Sequence, residues 1–175
     1  DLKDMAPKIN ITNAKIVFRN LAGKPTKFNS RGGVRDFAVV LDNYDDVESL
    51  INMGFSVKYF NKKNEDDPDV PFLKVKVNFR YNEDGDLMSP HIYVINNGQK
   101  VLIKPETAEI VDRADIAYCD LVIRPFAYNN INGRSGVSAY LDKMFVNIEE
   151  DEIEKKYEMY NDPDEDAEGE EIPFE

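Results

Sequence analysis

Apolar and polar residues alternate along most of the first 148 positions, and this period of two is typical of β-strands with one buried face. The alternation is clearest over residues 71–81. Apolar side chains from Leu73 to Tyr81 occupy one face there, and polar, mainly basic side chains from Lys74 to Arg80 occupy the other. The pattern predicts one continuous strand in which the side chain of Tyr81 is buried.

One segment between the predicted strands has a helical period instead. Val47, Leu50 and Ile51 recur at helical spacing, and Gly54 stands where a helix commonly ends. We therefore predict one main helix of about ten residues, together with a short helical turn at residues 107–111. Several short strands with one main helix favour an all-β fold, an antiparallel barrel or sandwich, over a parallel sheet.

The net charge of −12 is concentrated in one part of the chain. Residues 1–148 contain 20 basic and 20 acidic side chains, whereas residues 149–175 contain 2 basic and 14 acidic ones. We therefore predict a neutral globular domain over 1–148 and an acidic tail over 149–175. The tail has helix-forming residues to about position 160, and beyond it too few apolar side chains to offset the entropy of ordering, so we expect disorder there.

Candidates for catalysis or metal binding are few. His91 and Cys119 are the only histidine and the only cysteine, which is too few for a Cys-rich zinc site or a disulfide framework. Acidic turns near residues 64–69 and 82–86 lack the full ligand spacing of a calcium loop. We expect His91 and Cys119 to be structural, and we predict no enzymatic activity, no metal and no cofactor.

The sequence shows no pattern typical of a membrane span or a signal peptide. No apolar run reaches the roughly 18 residues of a membrane span, and the first ten residues lack the apolar stretch of a signal peptide. A single cysteine fits a reducing compartment. We therefore expect a cytoplasmic protein with no membrane partner.

Basic and aromatic residues are interleaved along the predicted strands and in two glycine-containing loops. This combination suits single-stranded nucleic acid, because cations displace counterions from phosphates and flat rings stack on unpaired bases. The predicted backbone contacts are Arg31, Arg35, Lys58, Lys74, Lys76, Arg80, Arg124 and Arg134. The predicted stacking residues are Phe60, Tyr93, Phe126, Tyr128 and Tyr140. Sheets with solvated lysines and buried aromatic side chains show the same pattern, so that alternative stays open.

The acidic tail carries an apolar tip. Ile172, Pro173 and Phe174 directly follow a run that ends in Glu170 and Glu171. An apolar tip on a flexible anionic tether can insert its ring into a partner's pocket while the carboxylates meet surrounding basic groups. We predict that these five residues bind a protein partner; a purely solubilising tail is the alternative.

This tail resembles the acidic C-terminal tip of bacterial and phage single-stranded DNA-binding proteins, which typically ends Asp-Asp-Asp-Ile-Pro-Phe. The body resembles the phage-type members in four segments: NMGFSVKYF, PFLKVKVNFRY, DLVIRPFAYN and GVSAYLDKMFVNIEE. In the bacterial proteins the final Phe carries the free carboxylate, whereas Glu175 follows Phe174 in this sequence.

The resemblance implies an OB-fold, a five-stranded antiparallel barrel with extra strands here, that binds single strands through a basic, aromatic groove. It also implies a phage-encoded, sequence-independent single-stranded DNA-binding protein in the bacterial cytoplasm. Such a protein would coat and protect DNA during replication, recombination and repair, and recruit replication and recombination proteins through its tail. A protein-interaction adaptor and an RNA-binding OB module remain as alternatives, and self-association into a homo-oligomer is left open.

Overall fold

A computed structural model describes residues 7–60, 66, 69–129 and 132–148. The region from residue 149 onwards falls outside the described residues, and with it the predicted partner contacts at the tip. The predicted division into a domain and a tail therefore stays a prediction.

The described chain contains eleven strands, two α-helices and one 3-10 turn. The strands are β1 (Ile9–Ile11), β2 (Lys15–Asn20), β3 (Asp36–Val40), β4 (Val57–Tyr59), β5 (Pro71–Lys76), β6 (Arg80–Tyr81), β7 (Leu87–Ser89), β8 (His91–Asn96), β9 (Gln99–Ile103), β10 (Ile116–Asn129) and β11 (Ser135–Ile148). The helices are α1 (Tyr44–Asn52) and α2 (Glu109–Arg113), and the turn spans Pro105–Thr107. Both the main helix and the shorter helical turn are confirmed. Within the described residues neither helix has the length and apolarity needed to cross a membrane.

Helix α1 begins and ends where its sequence indicates. The Asn43 side chain accepts a hydrogen bond from the backbone N–H of Asp45 at 2.8 Å, which caps the first turn. Gly54 follows the last turn with φ of +102°, a conformation that side chains with a Cβ rarely adopt. Val47 and Leu50 are buried, so the helix packs its apolar stripe against the core.

Nine strands form one sheet, in which the main path runs β1-β10-β11-β5-β3-β2. Strand β4 pairs with β5, β8 pairs with β11, and β9 pairs with β8, while β6 and β7 form a separate two-stranded sheet. The ladders are antiparallel except those of β11 with β5 and with β8, which are parallel. The prediction of a mostly β, OB-like fold with one main helix and extra strands is confirmed, and the sheet is not closed into a barrel.

Strand β5 shows how the alternation divides the two faces. Leu73 and Val75 are buried in the core, whereas Lys74 and Lys76 are exposed on the opposite face, as predicted. Residues that pair in register across a sheet share a face, so the outward side of β5 continues onto its neighbours.

The predicted continuation of this strand to Tyr81 is wrong. Strand β5 ends at Lys76, and the N–H of Val77 then bonds the carbonyl of Arg35 at 2.9 Å. Arg80 and Tyr81 form β6, which pairs with β7 across the Asp84-Gly85 turn. Because this hairpin lies outside the main sheet, Tyr81 is 47% exposed instead of buried.

A β-bulge at Asp142 changes the side-chain parity of β11. Val122 pairs with Lys143 and Ile123 pairs with Leu141, so Asp142 has no partner residue on β10. Leu141 lies in the core before the bulge, and the buried positions continue at 144 and 146 after it.

Cys119 lies on β10 with its side chain buried in the protein core, as predicted for a structural thiol. Burial, with a smaller contribution from the neighbouring Asp120 carboxylate, raises the pKa of this thiol to about 12. Because the thiolate is the reactive form, iodoacetamide at pH 8 should label the native protein far more slowly than the protein in urea. Mass spectrometry measures both rates, and rapid labelling of the native protein would contradict this placement.

Candidate nucleic-acid interface

One row of paired residues crosses four strands on the outward face of the sheet. Arg124 on β10 pairs with Tyr140 on β11, which pairs with Lys76 on β5, which in turn pairs with Asp36 on β3. Adjacent strands lie about 4.8 Å apart, so the row spans roughly 14 Å. It brings together residues that are distant in sequence, because β11 runs parallel to β5 in the middle of the sheet.

Tyr140 is the centre of this row. The Arg124 guanidinium lies 5.3 Å from the Tyr140 ring centroid, and the Lys76 ammonium lies 5.7 Å from it. Phe126 meets the same ring edge-on with centroids 6.0 Å apart, and its side chain is 47% exposed. The ring quadrupole attracts both cations; Lys76 is exposed, whereas Arg124 is partly buried.

Tyr128 completes a group that we call the tyrosine cluster, namely Arg124, Phe126, Tyr128 and Tyr140. Tyr128 pairs with Gly136 in the β10–β11 ladder. A Cβ added at Gly136 would lie 2.7 Å from the Tyr128 hydroxyl oxygen, so the ring lies directly over this glycine. The glycine therefore lets the tyrosine lie flat on the sheet.

A second group of rings, the phenylalanine cluster, consists of Phe18, Phe60 and Phe72. Their centroids lie 5.1 Å apart for Phe18 and Phe60, 5.9 Å for Phe18 and Phe72, and 4.8 Å for Phe60 and Phe72. Phe72 has the same parity on β5 as Lys74 and Lys76, and it pairs with Lys58 on β4. The cluster therefore lies on the same outward face, about 13 Å along β5 from Lys76.

Phe18 reaches this cluster through a distortion of β2. Its φ is +52°, and the β2–β3 register shifts between Val17 and Asn20. A positive φ is unusual for an aromatic residue and costs about 1–3 kcal/mol. The distortion leaves Phe18 64% exposed, with its ring beside those of Phe60 and Phe72.

The charges on this face are mainly positive. Lys58, Lys74, Lys76 and Arg124 lie on it, and the Asp36 carboxylate lies 3.5 Å from the Lys74 ammonium. Within the part of the chain that the structure describes, Arg124 Nε is a buried side-chain nitrogen without a hydrogen-bond partner.

The structure brings eight of the predicted contact residues together on what we call the outer face, defined by the two clusters and the lysines between them. These residues are Lys58, Phe60, Lys74, Lys76, Arg124, Phe126, Tyr128 and Tyr140.

Four of the other five predicted residues lie elsewhere. Arg35 donates hydrogen bonds to the carbonyls of Leu21 and Pro105, and its guanidinium lies 5.4 Å from the Phe79 ring centroid. Arg80 lies on the separate β6–β7 sheet. Arg31 and Arg134 are exposed on the loops between β2 and β3 and between β10 and β11.

Tyr93 lies on the same outward side of the sheet but in a separate aromatic stack on β8. It pairs with Phe145, which pairs with Asp120, and Asp120 has the parity of Arg124 on β10. The Tyr93 ring stacks on Phe145 with centroids 5.4 Å apart and on His91 at 6.5 Å, and the Lys100 ammonium lies 4.6 Å from its centroid. Strand β11 connects this stack to Tyr140, with the Asp142 bulge between them. His91, for which a structural role was expected, also contacts the Leu87 carbonyl at 3.2 Å.

Three residues of the outer face were missed by the sequence analysis. Phe72 shares the parity of Lys74, and this signal could have identified it. Lys15 pairs with Val40, which pairs with Phe72, so it places a cation on the edge strand of the same face. Phe18 carries no such signal, because its exposure depends on the positive φ.

Comparisons with known proteins identify the family of the chain and relatives of its fold. A family model described as "Putative phage ssDNA-binding domain" matches residues 3–173. The single-stranded DNA-binding protein of bacteriophage Enc34, solved in complex with single-stranded DNA, is 14% identical and aligns over 82% of this chain and 88% of its own, with a TM-score of 0.50. The T7 protein gp2.5, also a single-stranded DNA-binding protein, is 12% identical over 97% of this chain and 98% of its own, with a TM-score of 0.44.

No curated protein matches the sequence at a significant level. The Enc34 structure shows a shared fold, and the family match extends over nearly the whole chain. The chain therefore belongs to the phage single-stranded DNA-binding domain family.

Proposed function

We propose that this protein binds single-stranded DNA without sequence preference through the outer face. The observation that carries the proposal is the position of Tyr140 between the Arg124 and Lys76 cations, with the exposed ring of Phe126 at its edge. Rings beside cations provide base stacking and phosphate neutralisation at one place. Membership of the phage family supports the same function.

The composition of the face accounts for the lack of sequence preference. Base stacking uses the π-face that every base has, whereas sequence reading needs side chains that hydrogen-bond base edges. The two clusters present aromatic rings separated by Lys74 and Lys76. Stacked bases would occupy the clusters while the phosphates meet the lysines and the Arg124 guanidinium.

Titration of fluorescent oligonucleotides tests this function directly. We expect saturable anisotropy changes with oligo-dT and mixed-sequence single strands of equal length, and much weaker binding of the corresponding duplex. No saturable binding at low salt would contradict the proposal and favour an adaptor that acts through its tail. Tighter binding of oligo-U than of oligo-dT would favour an RNA-binding module.

Replacing Asp36 with asparagine is expected to tighten binding of oligo-dT. The carboxylate lies 3.5 Å from the Lys74 ammonium and competes with phosphate for it. Removing this partly buried negative charge should lower the Kd about two- to fivefold at low salt, with a smaller effect at high salt. Asp86→Asn, in the β6–β7 turn, is the matched control, and an unchanged or raised Kd for Asp36→Asn would contradict the assignment.

We further propose that the protein coats and protects single strands during phage replication, recombination and repair in the cytoplasm of the infected bacterium. Its acidic tail would recruit replication and recombination proteins, with Ile172, Pro173 and Phe174 entering a partner's pocket and Glu170 and Glu171 meeting basic groups around it. The 14 acidic residues of the tail support a second role, because they can compete with phosphates for the outer face.

Removal of residues 161–175 should tighten binding of oligo-dT at low salt and abolish partner recruitment. The first effect should fade as salt is raised, since screening weakens the competing carboxylates. A second variant separates the two roles by replacing only Asp162, Asp164, Glu165, Asp166 and Glu168 with their amides, so that the proposed partner contacts at residues 170–174 are kept. Unchanged affinity of both variants at low salt would show that the tail does not reach the outer face.

A further inference from the structure

Phe28 is an unusually exposed aromatic residue. It lies on the loop between β2 and β3, and its side chain is 90% exposed, the highest value for a large apolar residue in the described part of the chain. A single exposed apolar side chain is ordinary on a flexible segment. Phe28 is different, because the loop that carries it is held by several internal hydrogen bonds.

The base of the loop is fixed to α2. The Asp112 carboxylate accepts hydrogen bonds from the backbone N–H groups of Leu21 at 2.7 Å and Ala22 at 3.0 Å. The Lys24 ammonium forms an ion pair and hydrogen bond with Glu109. These contacts anchor the start of the loop to a helix that lies far from it in the sequence.

The tip of the loop is also hydrogen-bonded internally. Thr26 and Asn29 exchange backbone hydrogen bonds of 2.9 and 3.1 Å, and the Thr26 hydroxyl oxygen accepts from the N–H of Phe28 at 3.2 Å. The N–H of Gly33 bonds the carbonyl of Gly23 at 2.8 Å and closes the loop. The chain thus positions Phe28 before any ligand arrives, which lowers the entropy lost on binding.

The loop projects from the same row of residues that carries Tyr140. Asn20 pairs with Asp36, so the row continues from Arg124, Tyr140, Lys76 and Asp36 to a fifth strand. The loop begins immediately after Asn20 and ends just before Asp36. Its base therefore lies two strands, about 10 Å, from Lys76.

The side chains around Phe28 repeat the chemistry of the outer face. The Lys27 ammonium lies 5.7 Å from the Phe28 ring centroid, and Arg31 is exposed on the same loop. We propose that Phe28 is a further base-stacking site, at which an unpaired base of the DNA strand bound to the outer face stacks on the ring while Lys27 and Arg31 meet the adjacent phosphates. This proposal rests on the proposed single-strand binding.

Tryptophan fluorescence gives a direct test, because the sequence contains no Trp. Phe28→Trp places one indole at the tip of the loop, and oligo-dT should quench its emission with the same midpoint as the anisotropy change of the labelled strand. Tyr44→Trp is the control, since Tyr44 is 78% exposed at the start of α1, and its emission should not change. If the Phe28→Trp variant bound oligo-dT fully while its indole emission stayed unchanged, the proposal would be overturned.

Affinity measurements distinguish stacking from general apolar contact. Phe28→Ala should raise the Kd for oligo-dT about tenfold, Phe28→Leu should raise it nearly as much, and Phe28→Tyr should leave it within about twofold. Equal Kd values for Phe28→Ala and the unsubstituted protein would overturn the stacking site while leaving the outer face intact. If the unsubstituted protein itself failed to bind, the proposed function would fail instead.

Discussion

Replacing Tyr140 with alanine is expected to raise the Kd for oligo-dT by about 10- to 100-fold. The substitution removes a stacking surface worth on the order of 1–3 kcal/mol per base. It also removes the ring that holds the Arg124 guanidinium at 5.3 Å and the Lys76 ammonium at 5.7 Å, so both cations lose their position as well. No other single residue of the outer face contacts two cations through its ring among those the structure describes.

The conservative variant Tyr140→Phe is the matched control for this prediction. It keeps the ring and therefore the stacking and cation–π contacts, and its Kd should stay within about twofold of the original. Fluorescence anisotropy gives the Kd, and thermal unfolding followed by circular dichroism shows that both variants are folded. If Tyr140→Ala bound as tightly as Tyr140→Phe, the tyrosine cluster would have no part in binding.

The second large effect is expected in the salt dependence. If Lys58, Lys74, Lys76 and Arg124 neutralise about four phosphates, the slope of log K against log[salt] should be near −3, since each phosphate on a single strand contributes about −0.7. The double variant Lys74→Gln/Lys76→Gln should then have a slope near −1.5. Its affinity at low salt should also fall by at least about tenfold, whereas the difference should shrink as salt is raised.

The control variant Lys104→Gln/Arg113→Gln removes the same charge from the residue before the 3-10 turn and from the end of α2. It should retain most of the original slope, because these residues lie outside the outer face. Titrations at four or more salt concentrations give the slopes. Equal slopes for the two double variants would show that net charge, and not the position of Lys74 and Lys76, determines the salt dependence.

The sequence predicted the parts of the fold that depend on local period. The alternation over Leu73, Lys74, Val75 and Lys76 assigned both faces of β5 correctly, because one face is in the core and the other in water. Helix α1 was predicted from its apolar spacing and from Gly54. These signals are short-range, so one stretch of sequence is sufficient to detect them.

The pairing of strands that are distant in the sequence could not be predicted from local periodicity. The parallel ladder that places Tyr140 beside Lys76 depends on the topology of the whole sheet. The alternation of apolar and polar residues continues through Arg80 and Tyr81, but β5 ends at Lys76. Arg80 and Tyr81 therefore belong to a separate hairpin. In a regular strand the Phe18 ring would be buried on the same side as Ile16. The positive φ of Phe18 turns the ring outwards instead.

Eight of the thirteen residues predicted to contact DNA lie on the outer face, and Tyr93 has the same outward parity but lies in a separate stack past the Asp142 bulge. Arg35 shows why the others do not, since its guanidinium is used for backbone carbonyls and for the Phe79 ring. Sequence pattern identifies a basic residue on a predicted strand or loop, but it does not show which cations already have partners within the fold.

Photocrosslinking tests the central claim, that single-stranded DNA lies on the outer face, most directly. Oligo-dT that carries 5-iododeoxyuridine at single positions would be crosslinked to the full chain, and the attached peptides would be identified by mass spectrometry. We predict crosslinks at Phe72, Phe126 and Tyr140, within β5, β10 and β11. Crosslinks confined to α1 or to the β6–β7 hairpin, with none on those three strands, would contradict the claim.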